Sequence, residues 1–312
     1  MSKPSAGADT GAFSPDFLDF IADEARVYPH FRLLTKAEAI GLVRERGRVV
    51  GVAYRKDGEQ RQIAAKLVIA ADGRSSRLRE EAQLTVRTLG APIDVFWFRV
   101  PKRPTAENET TGIFTRGRLM ALLDRGDYWQ CAYVFPKGQA EQVRARGLDA
   151  FRRDVARRAP MLAADIGAVA SWDDVKLLSV ALDRLERWHE PGFLVIGDAA
   201  HAMSPIGGVG INVAIQDAVA AANLLAAPLA KHKDVDRLLD KVRGRRMLQV
   251  RAVQAFQKAA QDRIITPLLE GSGPVKVALP LRLLGRFPLL RRLPAAFLGF
   301  GVRPEHIRSP AI

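Results

Sequence analysis

The spacing of apolar positions changes several times along this chain. Behind Ser14-Pro15, a pair suited to a helix start, Phe17, Leu18, Ile21, Ala25 and Tyr28 recur at helical intervals and predict a helix. After Pro29 the period shortens. The segments AEAIGLVRERG, RVVGVAYRKDG and RQIAAKLVIAADG predict three strands, with RERGR and RKDGE as hairpin turns and the third strand ending at Asp72. From 91 to 136, PIDVFWFRV, TTGIFTRG, RLMALLD and YWQCAYVF are short strand patterns broken by Gly, Pro and Asp, which suits an antiparallel sheet. Residues 139–165 predict helix, and DVKLLSVALDRLERW returns as a strand. PGFLVIGD is a short, almost wholly apolar strand of the kind buried in a parallel sheet, and helices are expected at about 212–230 and 234–262.

The fold class this order predicts is α/β of mixed α+β character. One layer is interrupted by an antiparallel block and resumed near residue 191, so two regions about 120 residues apart would build one site. With 312 residues and 48% apolar content the chain can bury a sizeable core, which excludes a disordered or disulfide-stapled protein. A single cysteine, Cys131, allows no internal disulfide, and the opening MSKPSAGADTGA lacks the layout of a secretory signal, so a cytoplasmic setting is expected. The formal charge of +14 is spread without the aromatic interleaving of a single-strand binder, and no nucleic-acid partner is expected. No apolar run reaches the roughly 20 residues that span a bilayer. Residues 275–301 come closest, but Pro280, Pro288, Pro294 and five basic residues interrupt them. A broken helical tail packed on the domain or on a partner subunit is favoured there over a helix lying on a membrane surface.

Two stretches carry candidate chemistry. In LVIGDAAHAMSPIGGVGINVAIQDA (194–218) a buried strand ends in Gly197-Asp198, placing a carboxylate at the carboxyl edge of a sheet, where ligands of open α/β sheets bind. Asp198 can accept from ribose-type hydroxyls. Gly207, Gly208 and Gly210 let the backbone approach a flat or anionic group, and amides near Ile211 and Asn212 can donate at a helix N-terminus. Taken alone, such a loop is equally a turn that starts a helix. In KLVIAADGRSSRLRE (66–80) a second strand ends in Asp72-Gly73, with Ser76 and Arg79 opening a helix; Asp72 can accept from a hydroxyl and Arg79 can pair with a carboxylate or phosphate. The two sites together suggest opposite sides of one extended, polyol-bearing cofactor. No metal-ligand set is expected.

The stretch 71–79, ADGRSSRLR, resembles the DG motif, and 197–217, GDAAHAMSPIGGVGINVAIQD, resembles the GD motif, of the FAD-dependent monooxygenases related to para-hydroxybenzoate hydroxylase. The resemblance covers the chain from about residue 14 onward. It implies an incomplete FAD-binding Rossmann-like layer with an inserted, mostly antiparallel substrate-domain sheet and C-terminal helices. Its segments would be 1–85, 86–185 (the substrate domain), 186–263 and a basic apolar tail at 264–312.

By the same resemblance Asp198 would bond the ribityl chain of FAD. Backbone around Gly210, Ile211 and Asn212 would face the pyrimidine edge of the ring, Pro205, Gly207 and Gly208 would shape its wall, and Asp72 would lie near the pyrophosphate. His201 is read as a structural hydrogen-bonding residue. The implied reaction uses NAD(P)H to reduce FAD and O2 to oxygenate a small organic, often aromatic, substrate. No catalytic side chain is named. The strands at 91–136 would floor the substrate pocket; Phe96, Trp97, Phe98 and Tyr133 lie there, although alternating aromatics on strands are more often core than pocket.

A departure accompanies the match. Such proteins begin with a strand, a G-x-G-x-x-G turn and a helix that hold the FAD pyrophosphate, and the G-V-G, G-S-G and G-F-G stretches here lack the third glycine at that spacing. An N-terminally truncated or split member is therefore expected, with a separately encoded N-terminal segment as a candidate partner. A reductase or dehydrogenase of the same superfamily, or a non-catalytic interaction module, are the alternatives.

Overall fold

The computed structural model describes residues 15–103, 111–115, 118–271 and 299–309. They belong to two compact units, one of 1–37, 94–114 and 118–179, the other of 38–93, 115–117 and 180–312. The first described element is helix α1 (Pro15–Ala25), where the sequence predicts one, although Leu18, Phe20 and Ile21 are exposed.

In the second unit β1 (Glu38–Glu45), β2 (Arg48–Lys56) and β3 (Glu59–Ala64) form an antiparallel meander. Its two tight turns are Arg46-Gly47 and Asp57-Gly58, all four residues at positive φ, as hairpins of this length require. The predicted strand 61–73 is in fact two strands in two sheets: β3, and β4 (Val68–Ala70). Between them Ala65 N–H donates to Val50 O and Val68 N–H to Gly192 O, so the backbone changes partner within three residues. Lys66 is the one polar residue at that exchange, and an alternating strand pattern tolerates it. Helix α2 (Arg77–Glu81) follows, capped by Ser76, whose side chain accepts from Arg79 N–H, and then β5 (Val86–Thr88).

The other unit is built on β6 (Ile93–Pro101), β7 (Thr111–Thr115), β8 (Arg118–Asp124), β9 (Tyr128–Pro136) and, after two helices, β10 (Lys176–Ser179), in the order β10-β6-β9-β8-β7. The helices are α3 (Ala140–Ala145) and α4 (Leu148–Arg158); Gly147 at φ 85° and Pro160 divide what the sequence predicts as one helical stretch. Phe96, Phe98, Tyr133, Phe135 and Phe151 interlock with ring centroids 4.7–6.2 Å apart. Phe96, Phe98 and Tyr133 are therefore core residues of this unit, the commoner role of alternating aromatics on strands.

The predicted strand 174–188 also divides, into β10 above and β11 (Asp183–Leu185), which pairs antiparallel with β5 in the second unit. Next come β12 (His189–Glu190) and β13 (Phe193–Val195), fully buried and parallel to β4. Helices α5 (Gly210–Ala230), α6 (Asp236–Ala260) and α7 (Thr266–Glu270) complete the unit, whose core gathers β4, β13, α5 and α6. Contrary to the expectation that no apolar stretch is long enough, Ile206–Ala230 is by length and composition alone apolar enough to cross a membrane. Within the fold its Asp217 is completely buried. Its Gln216 and Asn223 bond to the segment 299–309, through Phe300 O and His306 O. Most of the predicted basic tail, 272–298, lies outside the described residues.

Candidate functional site

Parallel pairing of Val68 with Phe193, Ile69 with Leu194 and Ala70 with Val195 sets the carboxyl ends of β4 and β13 side by side. The pairing continues one step beyond the strands, where Ile196 N–H donates to Ala70 O at 3.0 Å. The Asp72-Gly73 and Gly197-Asp198 stretches that the sequence singles out are thus brought together at one sheet edge.

Side chains join them as well. Arg74 Nη2 lies 3.2 Å from Asp198 Oδ2, both side chains about one-third exposed. Arg79, read from the sequence as able to pair with a carboxylate or phosphate, is 94% buried, and the carboxylate it meets is the protein's own Asp183, 3.9 Å from Nη1. Its guanidinium donates to Ala199 O at 3.0 Å and to Arg74 O at 2.8 Å, fastening α2 to the turn after β13. Asp72 is exposed, and Gly73 takes φ 84°.

Downstream, Gly197 sits at φ 61° with Ala214 Cβ only 3.2 Å from where a Cβ would be, which ties this glycine to the close approach of α5. Gly207 (φ 81°) and Gly208 (φ 63°) turn the chain at an exposed corner after Pro205; no protein atom lies within 4 Å of a Cβ built on Gly208, so conformation rather than crowding asks for glycine there. Helix α5 then begins at Gly210. Val209 precedes it and offers no side-chain acceptor, so the first-turn amides of Gly210, Ile211 and Asn212 remain available to an anionic or carbonyl group. Asp198 Oδ1 is 4.0 Å from a Cβ built on Gly210, so carboxylate and helix terminus share one small region. The Asn212 side chain reaches toward Gly299 O at 3.5 Å.

Beneath this surface Asp217 and Arg246, to which the sequence gives no role, meet His201, which it gives a structural one. Asp217, completely buried, accepts from His201 Nε2 at 2.5 Å, Arg246 Nε at 2.9 Å and Gly197 N–H at 3.1 Å. Burial alone would push the Asp217 carboxyl up; His201 and Arg246 beside it outweigh that and hold it below the usual carboxylate range. His201 is fully buried, with its ring 5.1 Å from that of Trp188, in keeping with a structural part. The sequence signal for Asp217 is a lone carboxylate inside the apolar run VAIQDAVAA. Arg246 has no comparable signal, since its partner is 29 residues away.

The residues fit a flavin in three respects: a partly exposed acceptor at the strand end, a glycine corner beside it, and open amides at the start of α5. They provide no glycine-rich pyrophosphate turn of the G-x-G-x-x-G form.

Comparison with known proteins agrees. A family model described as FAD binding domain matches residues 12–257. The 6-methylpretetramide 4-monooxygenase of Streptomyces rimosus is 33% identical over 230 residues, covering 72% of this chain and 54% of that protein. Kynurenine 3-monooxygenase of Xanthomonas axonopodis pv. citri is 29% identical over 188 residues, covering 55% and 41%. The chain spans about half the length, or less, of these curated relatives. Among solved structures, PqsL of Pseudomonas aeruginosa, described as a probable FAD-dependent monooxygenase, shares the fold with TM-score 0.65 at 22% identity over 82% of this chain and 70% of that one. The flavin-dependent brominase Bmp2 does so with TM-score 0.70 at 18% identity over 93% and 70%. With a family model spanning the paired strand ends, the glycine corner and most of α6, this chain belongs to the FAD binding domain family.

Proposed function

We propose that this chain forms the ribityl and ring-holding part of an FAD-dependent monooxygenase that uses NAD(P)H and O2 to hydroxylate a small organic substrate. The observation that carries the reading is the convergence of Asp198, the Gly207-Gly208 corner and the α5 N-terminus at the joined ends of β4 and β13. The monooxygenase relatives support the reaction class.

When bound, FAD supplies the redox and oxygen chemistry. This chain's residues hold and polarise it. Asp198 accepts from polyol hydroxyls, with Arg74 fixing the carboxylate's direction. The amides of Gly210, Ile211 and Asn212 stabilise negative charge at the near edge of the ring. His201, locked against Asp217, moves no proton in this scheme. Among the described residues, β4 ends its sheet on the side away from β13. A cytoplasmic setting accords with the lone Cys131, whose thiol burial pushes up to about 12.

The test is flavin retention. FAD is added to the purified chain, free flavin is removed by desalting, and the bound absorbance is recorded. We expect retained flavin, weakened roughly tenfold by Asp198→Ala, the scale of one charge-assisted hydrogen bond. A folded chain that keeps no flavin overturns binding by this chain alone, and unchanged affinity in the variant overturns the role of Asp198. Substrate-dependent NAD(P)H consumption with oxygen found in the product marks a monooxygenase; consumption without oxygen incorporation marks a reductase.

A further inference from the structure

Away from the strand ends, α6 and the two-stranded sheet β5–β11 enclose a pocket of about 170 Å³ whose lining includes Arg87, Arg184, Arg243 and Arg251. Arg87 and Arg184 are directly opposed cross-strand partners. Like charges in facing positions destabilise a strand pair, so the placement is costly unless an anion sits between them. Helix α6 adds Arg243 and Arg251 eight residues apart on one face, with Met247 between them.

Little within the protein neutralises this cluster. Arg243 pairs with Asp240 at 2.8 Å, and Arg184 donates to Gln254 Oε1, a neutral partner, at 3.0 Å. Among the described residues Arg87 and Arg251 have no hydrogen-bonded or ionic partner. Glu186 is the single carboxylate among the lining residues. The Arg184 guanidinium titrates below its usual value, first because burial removes water from it and then because Arg87 and Arg251 repel its charge.

We propose that this pocket is an anion site for a phosphoryl or diphosphoryl group, held between the opposed arginines of β5 and β11 and the arginine face of α6. Planar guanidinium forks match phosphate oxygens two at a time, which suits this ligand better than a halide. The volume lies below the roughly 300–1,000 Å³ of sites that enclose whole small molecules, so the remainder of a larger ligand would lie outside. The site is separate from the Asp198 region and does not depend on flavin binding. Free pyrophosphate and the phosphates of a pyridine nucleotide offer the same chemistry.

The test is calorimetric titration of the full 312-residue chain with inorganic pyrophosphate, without flavin and at fixed chloride. Saturable binding at one site is expected, weakened roughly tenfold or more in Arg87→Gln/Arg251→Gln. Because those substitutions relieve repulsion, the ligand-free double variant should melt no lower than the parent. Displacement of pyrophosphate by NADPH and NADH alike identifies a nucleotide diphosphate, by NADPH alone a nucleotide 2′-phosphate, and by neither a free anion; each supports the site. Absence of saturation, a double variant that binds like the parent, or a double variant that melts lower overturns it.

Discussion

Asp217 shows how one side chain can order a site it does not reach. Its two oxygens collect the Gly197 amide, the His201 ring and the Arg246 guanidinium, so the turn that presents Asp198 is anchored from below. Replacing Asp217 with Asn should cost on the order of 3–5 kcal/mol in denaturant unfolding, because Arg246 would remain buried with its charge unbalanced. The pH dependence has a definite sign. Its folded-state pKa lies below the usual 3.8, so the stability it adds is complete above that value and is lost as pH falls through the folded one. Acidification should therefore cost the parent more stability than the Asn variant, and parallel pH curves would refute the assignment. At this scale the sequence was legible where the signal is local: Asp198 and the glycines announce themselves as types that a strand end and a tight corner need. The structural part of Arg79 was not legible, because two of its partners, Ala199 O and Arg74 O, are backbone groups that no composition reveals, and the third, Asp183, is distant in sequence.

Among the elements, turns were easier to read than strand ends. Arg46-Gly47 and Asp57-Gly58 require positive φ within two residues, a demand that stands in the sequence. The divisions of 61–73 and of 174–188 do not, since Lys66 is a single polar residue that a strand tolerates and residues 180–182 stay apolar while the hydrogen-bond partner changes. The joint between sheets concentrates at Gly192. Its N–H donates to Asp236 at 2.9 Å, its carbonyl accepts from Val68, and a Cβ there would overlap the Val49 carbonyl oxygen. Gly47 has a similar φ, 78° against 75°, but open space around its Cβ position. Gly47→Ala should therefore lose about 1 kcal/mol, the cost of left-handed backbone alone. Gly192→Ala should lose at least about 2 kcal/mol more, since backbone must shift to admit the methyl. Equal losses on thermal denaturation would show that the overlap relaxes without cost.

For the whole molecule, two features set the behaviour: an unbalanced charge and a layer closed by distant segments. With 48 basic against 34 acidic residues, self-repulsion opposes compaction. Raising sodium chloride from roughly 0.05 to 0.5 M should raise the melting temperature as screening shortens to a few ångströms, and a fall would show that attractive ion pairs dominate. The fold class and the order of elements were legible because the motifs and apolar periods are local. That β4 and β13 become neighbours was legible only through the Asp72-Gly73 and Gly197-Asp198 ends, and the arginine pocket was not legible at all, because β5, β11 and α6 meet only in three dimensions.

The parallel pairing of β4 with β13 also has a history in time. Arg74 and Asp198 stand 124 residues apart, and the antiparallel sheet must be made between them. At synthesis rates of roughly 5–20 residues per second, β4 waits roughly 6–25 s for its partner to emerge. During that interval the nascent chain holds β4 without its β13 neighbour, so the last step in assembling the layer is also the first at which the site exists.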